Sequence, residues 1–534
     1  MLPAPSAAAG GGISPFAGLD MAHLLARRAA ERPDHPLLVW EPEQGPARRW
    51  TYAAFADEVA RLAGGLAARG VGPGDRVLVH LENCPETLIA RFACAWLGAV
   101  CVATNPMAAG PELAGLAETA APRAAITQPR LAGLVAAHVP DLDWIAVTST
   151  DAGQEPALAD RPTADSLFET LHGEPLPTRW PNPDRPALIL FTTGTTARAK
   201  AVLWTHENLL WGACIGAQQQ GFQGSDVTLL FLPLFHVVGF SWTFLPALWR
   251  GGTVVLQPRY SASRFWPLAT AHRATVAAHV PFTIGALKAQ DMPARHDFRM
   301  WITNRQMPQE QARYGVENFS SAWGMTEMVS QPVIGNADCG ALAPDVIGRA
   351  SPAYAVRVVD GQGRDVAAGE AGELLVGGVR GRSIFSEYFG DAAATEAAFD
   401  EHGYFRTGDR VHREADGAIT FVDRIKDVIK VGGEGVAAGE IEAVVAAVPG
   451  VREVAVVAGP DALRGEVPVA FVVRAAGDDD GLAPAIEAAC RQSLARFKVP
   501  QRVVFIDALP KVGFGKIAKA ALREMARRLT EHAA

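Results

Sequence analysis

Leu188-Ile189-Leu190-Phe191-Thr192-Thr193-Gly194-Thr195-Thr196-Ala197-Arg198-Ala199-Lys200 decides how the chain is read. Leu188 to Phe191 suit a buried strand, and the apolar run stops at small hydroxyl residues and one glycine. A strand that opens into such a loop is well suited to phosphate. Backbone N–H groups and hydroxyls can converge on the oxygens, and Lys200 supplies countercharge. The GxxxxGK[ST] pattern of a P-loop is absent, so this is a phosphate loop of another kind. Read alone, the segment has a plain alternative, an ordinary threonine-rich loop.

The surroundings of the loop are those of an α/β protein. Thr51 can cap a helix whose apolar face is Phe55, Val59, Leu62 and Leu66 and which ends near Gly70. A turn at Gly72-Pro73-Gly74-Asp75 and a strand over Arg76–Leu81 follow. Phe92–Ala103, the most apolar stretch, is too short to span a bilayer and reads as a buried helix running into a strand. Val227–Leu232 and Thr253–Leu256 read as further buried strands, and Arg357–Val376 as short strands with Gly-rich turns. Beyond Asp423–Asp427 lies a lobe of about a hundred residues, a common domain size. In it, Glu440–Val448 and the Ile486, Cys490, Leu494 series carry helical spacing, while Val454–Val457 and Val469–Val473 read as strands. The expected fold is α/β. A large N-terminal domain of packed αβ subdomains carries a small β subdomain, and a small α+β C-terminal domain follows.

Bulk properties agree with several domains. The chain has 534 residues, 49% hydrophobic and 20% charged, more than one core serves. A net charge of −8 gives no general pull on nucleic acid or anionic membrane. Six cysteines without CxxC spacing read as reduced thiols of a cytoplasmic protein. Residues 1–19 begin with a small, uncharged, Ala/Gly/Pro-rich run and read as a disordered tail.

Further stretches carry chemistry. In Trp323-Gly324-Met325-Thr326-Glu327 an indole offers a flat face for a base, and glycine allows close backbone approach. A threonine there can donate to phosphate, and a carboxylate can hold Mg2+. Tyr404-Phe405-Arg406-Thr407-Gly408-Asp409 places a carboxylate at a turn, where it can accept both ribose hydroxyls. Asp423-Arg424-Ile425-Lys426-Asp427, Val431-Gly432-Gly433-Glu434-Gly435-Val436 and Leu509-Pro510-Lys511-Val512-Gly513-Phe514-Gly515-Lys516-Ile517 follow in order. Phe231-Leu232-Pro233-Leu234-Phe235-His236-Val237-Val238-Gly239-Phe240 is apolar around one histidine, which by itself reads as a core residue.

Taken together, these segments resemble the adenylate-forming superfamily of acyl-CoA synthetases, peptide-synthetase adenylation domains and luciferases. The resemblance covers about residues 20 to 525 in six ordered motifs. It implies an AMP-binding N-terminal domain over 20–425 and a mobile C-terminal domain over 426–534. It implies ATP, Mg2+ and coenzyme A as cofactors and a small carboxylic acid as substrate. The acid is activated to acyl-AMP with release of pyrophosphate, and the acyl group then passes to coenzyme A.

The resemblance also assigns roles. Thr192, Thr193, Gly194, Thr195, Thr196 and Lys200 handle the leaving phosphates. Trp323 and Gly324 face adenine, Thr326 and Lys516 stabilise charge at the α-phosphorus, and Glu327 holds the metal. Asp409 and Arg424 hold the ribose, Lys426 is the pivot of the C-terminal domain, and Gly433 lies on the loop lining the pantetheine tunnel. His236, Val237, Gly239 and Met328 line the acyl pocket, with Trp242 beside them and Trp204 and Trp211 as core or pocket. Homodimers are common among relatives so recognised.

The pattern departs from the family at Ala197, Ala199 and Ala201, where Gly and Pro are usual. At Thr303-Asn304-Arg305-Gln306-Met307-Pro308 the usual Gly-Ala/Gly-Pro adenine segment is missing. That second loss resembles carnitine/crotonobetaine-CoA ligases. Two rival readings remain open. One is an acyl-adenylating enzyme delivering to another acceptor, a carrier protein or an amine. The other is a degenerate adenylate-binding protein without turnover.

Overall fold

The computed structural model describes residues 14–154, 166–192, 199–424, 428–431, 434–461, 464–475, 481–494, 498–512 and 516–531. Thr193, Gly194, Thr195, Thr196, Lys426 and Gly433 lie outside them, as does Ala197. The chain divides into two compact units. One is made chiefly of the residues up to Thr192, those up to Val356 and Val376–Phe405, and the other of Arg357–Leu375 and the chain from Arg406 onward.

Two sheets build the first unit. In one, Pro186–Phe191 pairs in parallel with Val100–Ala103, which continues through Arg76–His80, Ala124–Thr127 and Trp144–Val147. On its other side Pro186–Phe191 pairs antiparallel with Ala201–Thr205, and that strand with Glu387–Tyr388. The phosphate loop is thus the connection of a hairpin, with Phe191 opposite Ala201 in the last pair. In the second sheet Asn318–Trp323, Met300–Thr303, Val276–Ala278, Val227–Leu230, Thr253–Leu256 and Pro36–Trp40 run in that order, all in parallel. Their crossovers are helices, so both faces are covered and the strands read as unbroken apolar runs. The helix Pro85–Leu97 is the crossover from Arg76–His80 to Val100–Ala103 of the first sheet, is buried at every position, and ends at Gly98 in the left-handed region. Thr51 caps the helix Tyr52–Ala68 by accepting from the Ala54 N–H at 3.2 Å.

Two local differences from the sequence reading have plain causes. The strand at Val227 ends at Leu230 rather than Leu232. Phe231 and Leu232 are buried in connecting chain, and apolar character alone does not separate that from a ladder. At the start, residues 14–19 leave the tail: Phe16 is buried with its ring edge-on to Trp249 at 6.1 Å, and the Ser14 hydroxyl donates to Glu207.

In the second unit, which takes the strand Phe405–Arg413 from Arg406 onward, that strand and Ile419–Arg424 form an antiparallel hairpin that sets Asp409 opposite Arg424. Farther on, Val451–Asp461 and Gly465–Arg474 pair antiparallel over their length, and Arg502–Phe505 adds in parallel. Alternate side chains serve two cores. Val456, Ala470 and Val472 meet Ile441, Val445, Ile486 and Cys490 on one face. Ala455, Val457 and Phe471 meet Leu509, Leu522 and Ala526 on the other. All six cysteines are free thiols. Among the described residues no helix is long and apolar enough to cross a membrane.

Candidate active site

The mouth of the phosphate loop is closed by two bonds between its end residues. The Thr192 N–H donates to the Lys200 carbonyl at 3.0 Å, and the Lys200 N–H to the Thr192 hydroxyl at 3.1 Å. Beyond this neck the Lys200 side chain is exposed, and its ammonium lies 4.1 Å from the centroid of the Tyr388 ring.

The Tyr388 hydroxyl donates to Glu327 Oε1 at 2.8 Å. Burial, and the Glu327 charge beside it, push the Tyr388 phenol far above its ordinary pKa, so it remains a donor. Glu327 itself is 3% exposed. Its backbone carbonyl accepts from the Phe385 N–H at 2.9 Å, and the neighbouring Thr326 carbonyl accepts from the Trp204 indole at 3.0 Å. The turn carrying Thr326 and Glu327 is therefore held by groups distant in sequence, Trp204 and the Phe385–Tyr388 segment. Sequence reasoning missed Tyr388, and it left Trp204 undecided between core and pocket. Trp204 is fully buried and acts as a strut for the Thr326 carbonyl.

Among the described residues no three His, Cys, Asp or Glu side chains gather to cage a metal. One buried carboxylate in a turn is the donor set Mg2+ uses when nucleotide phosphates and water supply its other ligands, so Glu327 fits that ion. Trp323 is buried at the end of the strand Asn318–Trp323.

Next along the chain, Gly324 has a reason of its own. A Cβ there would lie 2.5 Å from Trp242 Cζ2 and 3.1 Å from the Ser330 carbonyl. The indole of Trp242 thus lies flush on the backbone of the motif. Replacing Gly324 with Ala is expected to destabilise the protein by about 1–3 kcal/mol through overpacking. Adding Trp242→Phe should recover part of that loss, because the clashing ring atom goes. Thermal unfolding of the two single variants and the double variant checks this, and strictly additive losses would rule the contact out.

The acyl-side segment joins the same region. His236 is half-buried and precedes the turn Val237–Gly239, which runs into an i→i+5 turn over Phe240–Phe244. Such wide turns occur disproportionately at functional sites. The Ser241 hydroxyl donates to the Val329 carbonyl at 2.5 Å, tying this turn to the residues after Glu327. Met328 is fully buried and pairs with Ile384. Behind them Trp211 is half-buried and donates to the Tyr354 hydroxyl at 3.1 Å, with the two rings edge-to-face at 6.2 Å. Tyr354 also accepts from the Ser330 N–H at 3.2 Å and donates to the Ser383 carbonyl at 3.1 Å.

The departing segment 303–308 is held by a side chain rather than by close-packed glycine. The Gln306 amide reaches the Ser321 hydroxyl at 2.6 Å and the Gly335 carbonyl at 2.9 Å, and the Gln306 N–H donates to the Val346 carbonyl at 2.8 Å.

In the second unit Asp409 is buried, at 2% exposure. Its N–H donates to the Thr407 hydroxyl at 3.0 Å, and that hydroxyl donates to the Leu374 carbonyl at 2.6 Å. Gly408 takes φ +68°, and its N–H donates to Glu373 at 3.2 Å. The Thr-Gly-Asp order thus encodes one fixed turn: a hydroxyl strut, a left-handed glycine and an oriented carboxylate. Arg424 and Lys516 are placed as backbone positions on short strands, Lys516 opposite Val512.

These features define an adenylate-forming class of enzyme, and comparison with known proteins agrees. The family model "AMP-binding enzyme" matches residues 25–389, and "AMP-binding enzyme C-terminal domain" matches 440–516. A crotonobetaine/carnitine–CoA ligase of Salmonella paratyphi A is 32% identical over 506 residues, 92% of this chain and 96% of its own length. The ligase of the same name from Proteus mirabilis is 32% identical over 94% of this chain and 97% of its own. ATP-bound MatB from Rhodopseudomonas palustris superposes with a TM-score of 0.83 at 26% identity, covering 96% of this chain and all of that one. The chain belongs to the AMP-binding enzyme family and is an adenylate-forming acyl-CoA ligase.

Proposed function

We propose that this ligase activates a short carboxylic acid bearing a quaternary ammonium, of the crotonobetaine or carnitine kind, and transfers it to coenzyme A. The observation that carries the nucleotide half of the reading is the cluster of Lys200, Tyr388 and Glu327, which puts the phosphate-loop lysine and a buried carboxylate on one aromatic residue. The acid class rests on the names of the curated relatives. The aromatic side chains Trp211, Tyr354 and Trp242 beside the motif support it, because ring faces attract a cation once water is excluded.

In this reading the Thr192–Thr196 loop and Lys200 draw the β- and γ-phosphates and then release pyrophosphate. Asp409 and Arg424 hold the ribose, and Trp323 and Gly324 face the base. Thr326 and Lys516 offset the charge that builds when the carboxylate oxygen attacks the α-phosphorus in line and the bond to pyrophosphate breaks. Glu327 would hold Mg2+, which when bound supplies charge neutralisation on the phosphates. His236, Val237, Gly239 and Met328 bound the acyl group. In the second step the thiolate of coenzyme A attacks the acyl carbonyl and AMP leaves. Lys426 and Gly433 serve that step as pivot and as part of the pantetheine-lining loop, a conformational gate between two half-reactions.

The test is pyrophosphate release and thioester formation with a panel of acids, each with and without coenzyme A. Trimethylammonium acids should be preferred in kcat/KM over their neutral tert-butyl isosteres by about tenfold, as desolvated cation–π contacts suggest. AMP and thioester should appear together and need coenzyme A. A single burst of pyrophosphate unaffected by coenzyme A would assign a carrier-protein or amine acceptor instead. ATP binding without release on any acid would leave a nucleotide-binding protein.

A further inference from the structure

Tyr388 belongs to none of the sequence motifs, yet it touches two of them. It sits on the short strand Glu387–Tyr388, opposite Val202 of the strand that leaves the phosphate loop. Its backbone N–H donates to the Thr395 hydroxyl at 2.9 Å, and its ring packs on Phe385 with centroids 4.7 Å apart. Backbone and ring are therefore each held, and the residue is 3% exposed. A phenylalanine would fill the same space, so the hydroxyl needs its own explanation. It donates to one oxygen of Glu327 at 2.8 Å. The ring face, 4.1 Å from the Lys200 ammonium, is a separate contact of the same residue.

We propose that Tyr388 is a positioning residue shared by both halves of the polyphosphate site: its hydroxyl aims the Glu327 carboxylate, and its ring face holds the Lys200 ammonium until a polyphosphate draws it off. This rests on the metal and phosphate roles given above to Glu327 and Lys200. Hydrogen bonds to a metal-binding carboxylate fix its direction before the ion arrives and raise affinity for it. The Lys200 side chain is exposed, and an ammonium that stays in contact with water is held only weakly by a ring face, so phosphate oxygens can outcompete the ring at little loss.

The two contacts separate by substitution in the full-length chain. Tyr388→Phe deletes the hydroxyl and keeps the ring, whereas Tyr388→Leu deletes both. Calorimetric titration with ATP at graded Mg2+, with ATP in EDTA, and with inorganic pyrophosphate gives a readout independent of turnover. Tyr388→Phe should raise the Mg2+ concentration for half-maximal ATP binding about tenfold. It should leave ATP binding in EDTA unchanged, and kcat should recover at high Mg2+. Tyr388→Leu should show the same shift and also bind pyrophosphate a few-fold more tightly, a gain that Lys200→Ala abolishes. Melting temperatures establish that each variant is folded, and the conservative phenylalanine carries the test should the leucine variant not fold.

A Tyr388→Phe protein with the parent's Mg2+ requirement, beside a Glu327→Gln protein whose requirement is shifted, would overturn the positioning role alone. An unshifted Glu327→Gln protein would instead remove the metal role of Glu327, on which the proposal stands. Unchanged pyrophosphate affinity in Tyr388→Leu would overturn the part played by Lys200.

Discussion

Replacing Lys516 with Ala is expected to slow acyl-AMP formation by about 10²–10³-fold, the usual effect of deleting one preorganised group that stabilises transition-state charge. The reaction brings a carboxylate against a phosphate, so two anions must meet. An ammonium at that point favours the transition state over the separated reactants, because charge concentrates as the new P–O bond forms. ATP binding should change little, since the proposed reading gives the polyphosphate to Thr192–Thr196 and Lys200. Thioester formation from synthetic acyl-AMP and coenzyme A should also survive, because no phosphoryl transfer remains in that step. The substitution should be structurally mild. Lys516 lies on a two-residue strand opposite Val512, and the core beneath is built from Leu509, Leu522 and Ala526. Stopped-flow pyrophosphate release, set beside thioester formation from the preformed adenylate, separates the two steps. Equal loss in both half-reactions, or loss in neither, would remove Lys516 from the assigned role.

What could be read beforehand follows from the range over which each signal acts. The strand and loop from Leu188 to Lys200 and the Thr407-Gly408-Asp409 turn are local objects. The bonds that close the loop neck and start the turn join residues eight and two apart, so residue type and order suffice to suggest them, whereas the turn's bonds to Leu374 and Glu373 required the fold. The strands of the C-terminal lobe were legible as the valine-rich runs Val454–Val457 and Val469–Val473, whereas the two cores that their alternate side chains serve required the fold. The helix Pro85–Leu97 was harder. It is buried on all sides, so its apolar run does not by itself separate helix from strand, and its length and the glycine that ends it favour the helix. Tyr388 was out of reach. Its partners Glu327 and Lys200 are far from it in sequence, and nothing in the flanking residues Ser386, Glu387, Phe389 and Gly390 sets this tyrosine apart. Gln306 stayed hidden for a similar reason. The missing Gly-Pro pattern was legible as a loss, whereas the amide that braces the segment against Ser321 and Gly335 required the fold.

Replacing Glu327 with Gln should be nearly as damaging as removing Lys516, and in a different way. Glutamine keeps the volume, and its amide oxygen can still accept from Tyr388, so the turn between Trp204 and Phe385 should persist. What disappears is a negative charge that is 3% exposed. Removing a buried charge while keeping the hydrogen bond and the shape spares the protein a desolvation penalty, so the melting temperature should hold or rise. Mg2+, a hard cation, prefers carboxylate to amide oxygen and coordinates few protein groups beside the nucleotide, so one lost carboxylate is a large fraction of the protein's contribution. Adenylation kcat/KM at modest Mg2+ should fall by about 10²–10³-fold, the scale on which electrostatic stabilisers of phosphoryl transfer act. Raising Mg2+ should recover part of it. The diagnostic quantity is the ratio of ATP affinities with Mg2+ and with EDTA: it should be large in the parent and collapse towards one in the variant. A variant that loses turnover but keeps the parental ratio would show that Glu327 serves the chemistry without holding the ion.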